Sequence, residues 1–512
     1  MEAVQLSPFF LMIPVLLPVA GGGLLFLHRF REDRNRELYT EAVVCLTSVL
    51  VWTALFLVKP GKAEIYSFTG GFSVDFALDR MAALFAGMVS VMWPPVLLYA
   101  FEYMKEEKRK NAFFAFYVMT YGITLGVAFA GNMTTLYVFY EMLSLVTLPL
   151  VVHYGDHESM FAGRVYAAFT IGGAAAAFFP VVLTTFLTGG GDFAFGGCLG
   201  PEAVSGGLPG IEPEGMRQML LLAFLFGFFG FGTKAAVFPL CRWLPLASAA
   251  PTPVTALLHA VAVVNSGVFA VTRVAWYVYG PGFLKETFVQ KICLGAVCFT
   301  IVYAACMALK ERHFKRRLAW STVSNLSYML FGIMLLTPGG LKGGLLHMLF
   351  HGVIKMSLFL CAGAFMHQTG RAYLYQVNGA GRKMPVTFFF YTLGALSLTG
   401  IPLFCGFVSK WALLTAAAGA GTREGITGLL CLIAAAFLCA VYTLTISARA
   451  FFPASEETKE GKDLFTGADG KEIREAGVRM LFPIVLFGII NLYFGLFPSS
   501  VLEFTGRIAE GL

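Results

Sequence analysis

The sequence predicts an all-helical integral membrane protein with about 14 transmembrane helices. Of its 512 residues, 57% are hydrophobic and only 13% are charged, whereas soluble domains are about 25% charged. The apolar residues form continuous runs of roughly 20, the length of helix that crosses a bilayer core. A membrane β-barrel would instead alternate apolar and polar residues along each strand.

The apolar runs, taken in order, define the predicted spans. The first run is longer than a signal peptide and its basic residues follow it, so we interpret it as the first span. The predicted spans lie near residues 5–27, 41–58, 79–101, 113–131, 133–153, 162–187, 216–238, 253–275, 288–309, 318–337, 343–366, 385–418, 426–450 and 479–500.

The basic residues predict the orientation of the chain in a cytoplasmic membrane. When successive loops alternate between two sides, most of the 37 Lys and Arg residues fall on one side, and cytoplasmic loops carry such an excess. Both termini are then predicted on the outer side. Topology explains the net charge of +7 without nucleic-acid binding. The basic clusters are HRFREDRNR (28–36), KEEKRK (105–110), KERHFKRR (310–317), GRK (381–383) and the segment 449–478.

No cofactor site is predicted in this chain. The ten cysteines form no CxxC pair or metal-like cluster, and no glycine-rich nucleotide motif occurs in a suitable context. We therefore expect the driving reaction to take place in other proteins.

Two lysine motifs indicate an internal repeat. GFGTK at 230–234 lies in the seventh span and GFVSK at 406–410 in the twelfth, and both lie beside glycine or proline helix breakers. Because five spans separate Lys234 from Lys410, the two repeats would have opposite orientations in the membrane. The predicted segments are an N-terminal three-helix part (1–111), a first repeat of spans four to eight (112–275), a second repeat of spans nine to thirteen (276–450), and a charged loop with span fourteen (451–512).

Charged side chains inside the spans are the candidate functional groups. A charge at mid-membrane costs about 2.5 to 3.5 kcal/mol and so indicates a function. Lys234 and Lys410 could load and release protons, or could extend to an interface. Glu141 is the only acidic residue of the fifth span. It could form a switch with Lys234 or a structural ion pair.

The histidines add further candidates. His347, His351 and Lys355 recur every four residues in the eleventh span and so share one helix face about 12 Å long. We interpret them as a hydrated proton path, with a zinc site or core histidines as alternatives. His259 in the eighth span is either a proton relay or a core histidine.

Five stretches together resemble one family, the antiporter-like subunits shared by respiratory complex I, membrane-bound hydrogenases and Mrp-type Na⁺/H⁺ antiporters. The resemblance covers nearly the whole chain. The stretches are YEMLSLVTLPLV around Glu141, GTKAAVFPLCRWLPLASAAPTPVTALLHA around Lys234 and His259, KRRLAWSTVSNLSYM from Lys315, HMLFHGVIKMSLFL around His347, and GIPLFCGFVSKWALL around Lys410.

The resemblance implies two inverted five-helix half-channels with discontinuous helices seven and twelve, joined by a central row of Lys, His and Glu. Glu141 and Lys234 would form the first pair, His259 and Lys315 would link the halves together with His347, His351 and Lys355, and Lys410 would be the exit residue. Some members have a linking lysine where this chain has Asn265, so His259 would take that role here. Since the chain ends soon after span fourteen, it resembles the shorter members that lack a long lateral helix.

The expected function is a proton-translocating subunit, with Na⁺ as the alternative ion, of a redox-driven multisubunit complex. A subunit of an Mrp-type antiporter is the alternative, and a non-conducting scaffold is a third. The expected partners are other membrane subunits and lipid, with no nucleic acid. Fe–S, NiFe, flavin or quinone groups are expected only in those partner subunits.

Overall fold

The computed structural model describes residues 5–28, 30–199, 212–452 and 473–511. The predicted helical membrane architecture is confirmed, since twelve helices in these ranges are long and apolar enough to cross a membrane. Residues 200–211, between the sixth and seventh predicted spans, and residues 453–472, in the charged loop before the fourteenth, lie outside the described ranges.

The N-terminal part holds three helices and one hairpin. A 3₁₀ turn at Pro8–Leu11 leads into α1 (Met12–Leu27), followed by α2 (Asp33–Leu57) and α3 (Arg80–Tyr103). Antiparallel strands β1 (Lys62–Ser67) and β2 (Ser73–Ala77) lie between α2 and α3, and Gly70 and Gly71 supply the positive φ of the turn. The all-helical prediction did not include this hairpin.

The next group of helices contains Glu141, Lys234 and His259. Helix α5 begins because the Asn132 side chain accepts a hydrogen bond from the Thr135 amide at 2.8 Å, and Asp156 caps α6 in the same way at Ser159. The helices are α4 (Lys110–Ala128), α5 (Met133–Val151), α6 (His157–Thr188), α7 (Pro213–Gly232), α8 (Trp243–Ala247), α9 (Thr252–Ala260), α10 (Val263–Thr272), a π-helical turn at Arg273–Tyr279 and α11 (Pro281–Leu284).

The third group of helices contains the remaining candidates. Helix α13 is too polar and α15 and α16 are too short to count among the twelve apolar helices, so the number of about 14 spans stays a prediction. The helices are α12 (Phe288–Lys310), α13 (Phe314–Met334), α14 (Pro338–Thr369), α15 (Pro385–Thr399), α16 (Cys405–Gly419), α17 (Arg423–Phe451), α18 (Val478–Leu496) and the amphipathic α19 (Ser499–Ala509).

Two long helices occupy equivalent places in the predicted repeats. Helices α6 and α14 are each the third helix of their repeat, each has 32 residues, and each ends at a left-handed glycine, Gly189 or Gly370. At 1.5 Å per residue, such a helix is about 48 Å long, more than a bilayer core requires. This likeness supports the predicted repeats, whose boundaries stay a prediction.

Burial separates central helices from lipid-facing ones. In the apolar 18-residue stretches of 252–279 and of α14, 100% and 94% of the residues are buried inside the protein. In those of α17 and α18, 33% are buried. Large apolar side chains such as Phe56 and Phe437 lie on the outer surface. The candidate residues of α14 therefore lie in the centre of the protein.

We expect His313 to make the stability of α13 depend on pH. Burial, with Lys315 and Arg316 nearby, lowers the pKa of His313 to about 4. Between pH 6.5 and 4 the unfolded chain therefore binds more protons than the folded one, and stability falls as the pH falls. Acidification from pH 7 to 5 should cost about 2 kcal/mol, measured as thermal unfolding in detergent.

The matched variant is His313→Asn. Asparagine can still accept the Arg316 amide hydrogen bond that the His313 ring accepts at the start of α13, but it does not titrate. The prediction fails if His313→Asn loses as much stability between pH 7 and 5 as the unchanged protein.

Candidate functional site

Both lysine motifs lie at interruptions of helical backbone, as predicted. Helix α7 ends at Gly232, and Lys234 lies in the turn that follows, where Ala236 has φ 55°. Between α15 and α16, Leu403 has φ 80°, and Lys410 lies in the second turn of α16. A positive φ at a residue with a side chain is strained and is often found at functional sites.

Lys234 is fully buried at the end of α7. Its Nζ donates a hydrogen bond to the carbonyl of Tyr140 on α5 and lies 3.5 Å from the centre of the Tyr140 ring. Glu141, the predicted partner, interacts with Lys234 electrostatically, but the two form no direct ion pair within the described ranges. Oxygen Oε1 of Glu141 is buried and has no hydrogen-bond partner there. Among the described residues, the Lys234 ammonium therefore makes its hydrogen bond to Tyr140 instead of to Glu141.

Lys410 binds the carboxyl end of α15. Its Nζ donates to the carbonyls of Leu398 at 2.5 Å and Thr399 at 3.3 Å, where the helix dipole is negative. At the other end of α15, the Glu475 carboxylate accepts hydrogen bonds from the Val386 amide and the Thr387 hydroxyl. Helix α15 thus has a cation at one end and an anion at the other.

Lys315 and Lys355 bind carbonyl groups around α13. Lys315 Nζ donates to the Ala250 carbonyl at 2.9 Å, just before α9. Lys355 Nζ donates to the Leu318 carbonyl at 2.9 Å and to the Ser321 hydroxyl. Neither lysine forms an ion pair with a carboxylate of the described residues.

The three histidines differ in their partners. The His347 ring makes hydrogen bonds to Ser409 at 3.0 Å and Asn325 at 3.1 Å. The neighbouring ring of His351, 5.9 Å away, has no partner at either nitrogen in the described part of the chain. His259 contacts Ser248 at 3.4 Å and stacks on Phe359.

Aromatic rings lie between some members of the predicted row. Tyr328 lies between His347 and Lys410, with its ring 5.5 Å from the His347 ring and 5.2 Å from Lys410 Nζ. Phe359 lies between His259 and Lys355 in the same manner. No hydrogen bond among the described residues joins Lys234 to His259. The contacts of the described residues therefore do not connect Lys234 directly to the central residues.

The polar face of α13 was missed from sequence. Ser321, Asn325 and Tyr328 contact Lys355, His347 and Lys410 respectively. They recur at i, i+4 and i+7, the spacing of one helix face. That period within the motif STVSNLSY was the signal that could have found them.

Arg273 was also missed, although it lies inside the predicted span 253–275. Its guanidinium is buried among the rings of Phe193, Phe269 and Tyr277 and pairs with both oxygens of Asp79 at the start of α3. It anchors the π-helical turn to α3.

The eighth span has an interruption that sequence reasoning did not predict. The helix breaks between α9 and α10, next to His259, and the Asn265 side chain donates to the Ala260 carbonyl at 2.7 Å. Asn265 thus satisfies a carbonyl at a break instead of carrying charge.

A metal site at the histidines has no support in the described residues. They contain no group of three His, Cys, Asp or Glu side chains placed to hold a metal ion. The Asn325 contact also occupies one nitrogen of His347.

Comparison with known proteins shows the family. Residues 130–437 match the family model described as NADH:quinone oxidoreductase/Mrp antiporter, TM. Residues 67–114 match the model described as NADH-Ubiquinone oxidoreductase (complex I), chain 5 N-terminus. The predicted resemblance is confirmed.

Curated relatives include both classes of complex. NADH-quinone oxidoreductase subunit L of Mycobacterium tuberculosis is 30% identical over 497 residues, which are 94% of this chain and 74% of that protein. One Na(+)/H(+) antiporter subunit of Alkalihalophilus pseudofirmus is 28% identical over 85% of this chain, which spans about half (54%) of its length.

Solved structures have the same fold. A chain of the Mrp complex from a Dietzia species superposes with a TM-score of 0.83 at 22% identity, covering 98% of this chain and 97% of that one. A chain of an archaeal membrane-bound sulfane sulfur reductase gives 0.81 at 20% identity, covering 98% and 97%. The chain belongs to the family of membrane subunits shared by NADH:quinone oxidoreductase and the Mrp antiporter.

Proposed function

We propose that this chain is an ion-translocating subunit of a larger membrane complex, that it moves protons, and that redox chemistry in partner subunits drives it. One observation carries the proposal. Four lysines and three histidines lie buried in the protein, and in the described ranges carbonyl, hydroxyl and amide groups contact six of them in place of carboxylates, while His351 has no hydrogen-bond partner there. They are Lys234, Lys315, Lys355, Lys410, His259, His347 and His351.

Such groups can gain and lose protons without breaking an ion pair. A structural cation in a membrane is expected to pair with a carboxylate, as Arg273 does with Asp79. The proposed path begins at Glu141 and Lys234, passes His259, Lys315 and Lys355, and follows His351 and His347 to Lys410. Tyr328, Asn325 and Ser409 orient its last part.

The proposed topology places the chain in the cytoplasmic membrane with both termini outside, and residues 112–275 and 276–450 form the two inverted half-channels. The basic loops between helices support this orientation, and the 32-residue helices α6 and α14 support the repeats. No redox cofactor is proposed in this chain. Any Fe–S, NiFe, flavin or quinone group would belong to partner subunits.

Membership of an Mrp-type antiporter is the second candidate function, since a relative of that class matches the chain over 85% of its length. Purification from native membranes distinguishes the two. Co-purifying hydrogenase-like or quinone-reductase-like subunits support redox coupling, whereas a set of small antiporter subunits supports cation/proton exchange and contradicts the redox proposal.

Replacing Lys410 tests the exit of the path. Lys410→Met keeps the apolar stem but removes the ammonium, and we expect proton flux by the reconstituted complex to fall by about 100-fold, the typical contribution of one positioned proton donor. Parallel sodium flux identifies the ion. The control is Lys310→Met, at the exposed end of α12. Equal flux in both variants would contradict an exit role for Lys410.

A further inference from the structure

A polar cavity lies where the α1–α2 and α3–α4 connections meet, at the end of the helices that carries the basic loops. Its volume is about 640 Å³, within the range of roughly 300 to 1,000 Å³ typical of ligand sites. Four basic side chains but only two acidic ones line it. The basic ones are Arg36, Lys108, Arg109 and Lys110, and the acidic ones are Asp33 and Glu107.

Two of these cations share a single carboxylate. Arg36 binds one oxygen of Asp33 at 2.6 Å, and Lys110 binds the other at 2.8 Å. Arg36 is 5% exposed, and its Nε is buried without a hydrogen-bond partner in the described ranges. Asp33 cannot neutralise both cations, so positive charge is left over at the cavity.

The start of α4 adds to this positive charge. No side chain caps its first turn, which contains no acidic residue, and Asn111 and Ala112 of that turn line the cavity. The free amides and the positive end of the helix dipole favour an anion there. Helix N-terminus, buried arginine and excess positive charge all favour a phosphate-type group.

An apolar cavity of about 200 Å³ adjoins the polar one. The two share Arg109 and Ala112, and the smaller one is lined mainly by Phe113, Phe116 and Leu150. Phe26 of the polar cavity contacts Phe116 edge to face at 5.1 Å. A ligand that extends along this edge from polar to apolar surroundings needs an anionic head and a hydrocarbon tail.

We propose that this pair of cavities binds an anionic phospholipid of the leaflet facing the basic loops. The phosphate lies between Arg36, Arg109 and the start of α4, and an acyl chain passes along Phe26 and Phe116. Basic pockets between transmembrane helices favour anionic lipid headgroups, with about 1 kcal/mol for each basic residue. A free phosphate would use only the polar cavity.

The test is lipid titration of the purified complex in detergent, followed by native mass spectrometry. We expect phosphatidylglycerol to bind more tightly than phosphatidylcholine, and Arg109→Gln and Arg36→Gln each to weaken phosphatidylglycerol binding about fivefold. The matched control is Lys105→Gln, an exposed residue of the same connection that does not line the cavity. It should leave binding unchanged.

Three results would overturn the proposal. Equal binding of the two lipids would indicate unspecific lipid. Displacement of phosphatidylglycerol by millimolar inorganic phosphate would indicate a free-anion site, and crosslinking of Lys108 to a neighbouring protein instead of lipid would indicate a covered interface. Because Arg109 is exposed, Arg109→Gln remains informative even if Arg36→Gln does not fold.

Discussion

Lys234→Met should abolish ion translocation while leaving the complex assembled, with a loss of about 100-fold or more in proton flux. The variant keeps most of the buried volume of Lys234 but removes the ammonium that binds the Tyr140 carbonyl. Flux is measured in liposomes containing the reconstituted complex. Lys291→Met, on the exposed side of α12, is the control and should keep full activity.

Glu141 should act through the same step as Lys234. Groups that work as a unit lose activity non-additively. We therefore expect Glu141→Gln to impair flux strongly and the double variant to be no worse than Lys234→Met alone. Full flux in Lys234→Met would contradict the first half of the path, and additive losses would contradict the coupling of Glu141 to Lys234.

Gly267→Ala should also impair ion translocation, although residue 267 carries no titratable group. A Cβ atom at Gly267 would lie 2.5 Å from the Ala235 amide nitrogen and 2.8 Å from the Lys234 carbonyl carbon. Both are backbone atoms, so the turn that contains Lys234 must move. Because a misplacement of about 1 Å can cost about 100-fold in rate, we expect flux to fall about tenfold.

The matched control is Gly295→Ala on α12, where an added Cβ meets no atom within 4 Å. It should leave flux unchanged and slightly stabilise the helix, since alanine is a better helix former. If Gly267→Ala retains normal flux, the position of the Lys234 turn does not limit translocation. Thermal unfolding of both variants separates this effect from a loss of stability.

Hydrophobicity and the lysine motifs predict much of this fold. Apolar runs indicate membrane helices because a backbone in lipid must satisfy its own hydrogen bonds. Glycines and prolines beside Lys234 and Lys410 correctly indicated both interruptions. The break next to His259 carries no comparable signal, because Val261 and Ala262 are ordinary helix residues.

Side-chain partners were less predictable than helix positions. The sequence indicated that Lys234 and Glu141 share one region. The Lys234 ammonium, however, binds the backbone carbonyl of Tyr140, and a pattern of side chains does not identify a backbone partner. Asn325 and Tyr328 were not predicted, because an uncharged polar residue costs less to bury in a membrane helix than a charged one and is a weaker signal of function. The polar cavity could not be predicted, since it is formed by the α1–α2 and α3–α4 connections, which are far apart in sequence.

The contact between Lys410 and the last carbonyls of α15 gives that lysine a second role. Its ammonium is the C-terminal cap of a half-length helix, so the charge of the side chain and the end of the helix form one unit. When the proton leaves, the carbonyls of Leu398 and Thr399 lose their attraction to a full positive charge inside the protein. If Lys410 is the exit residue as proposed, each proton that it releases is expected to weaken the contact between α16 and the end of α15.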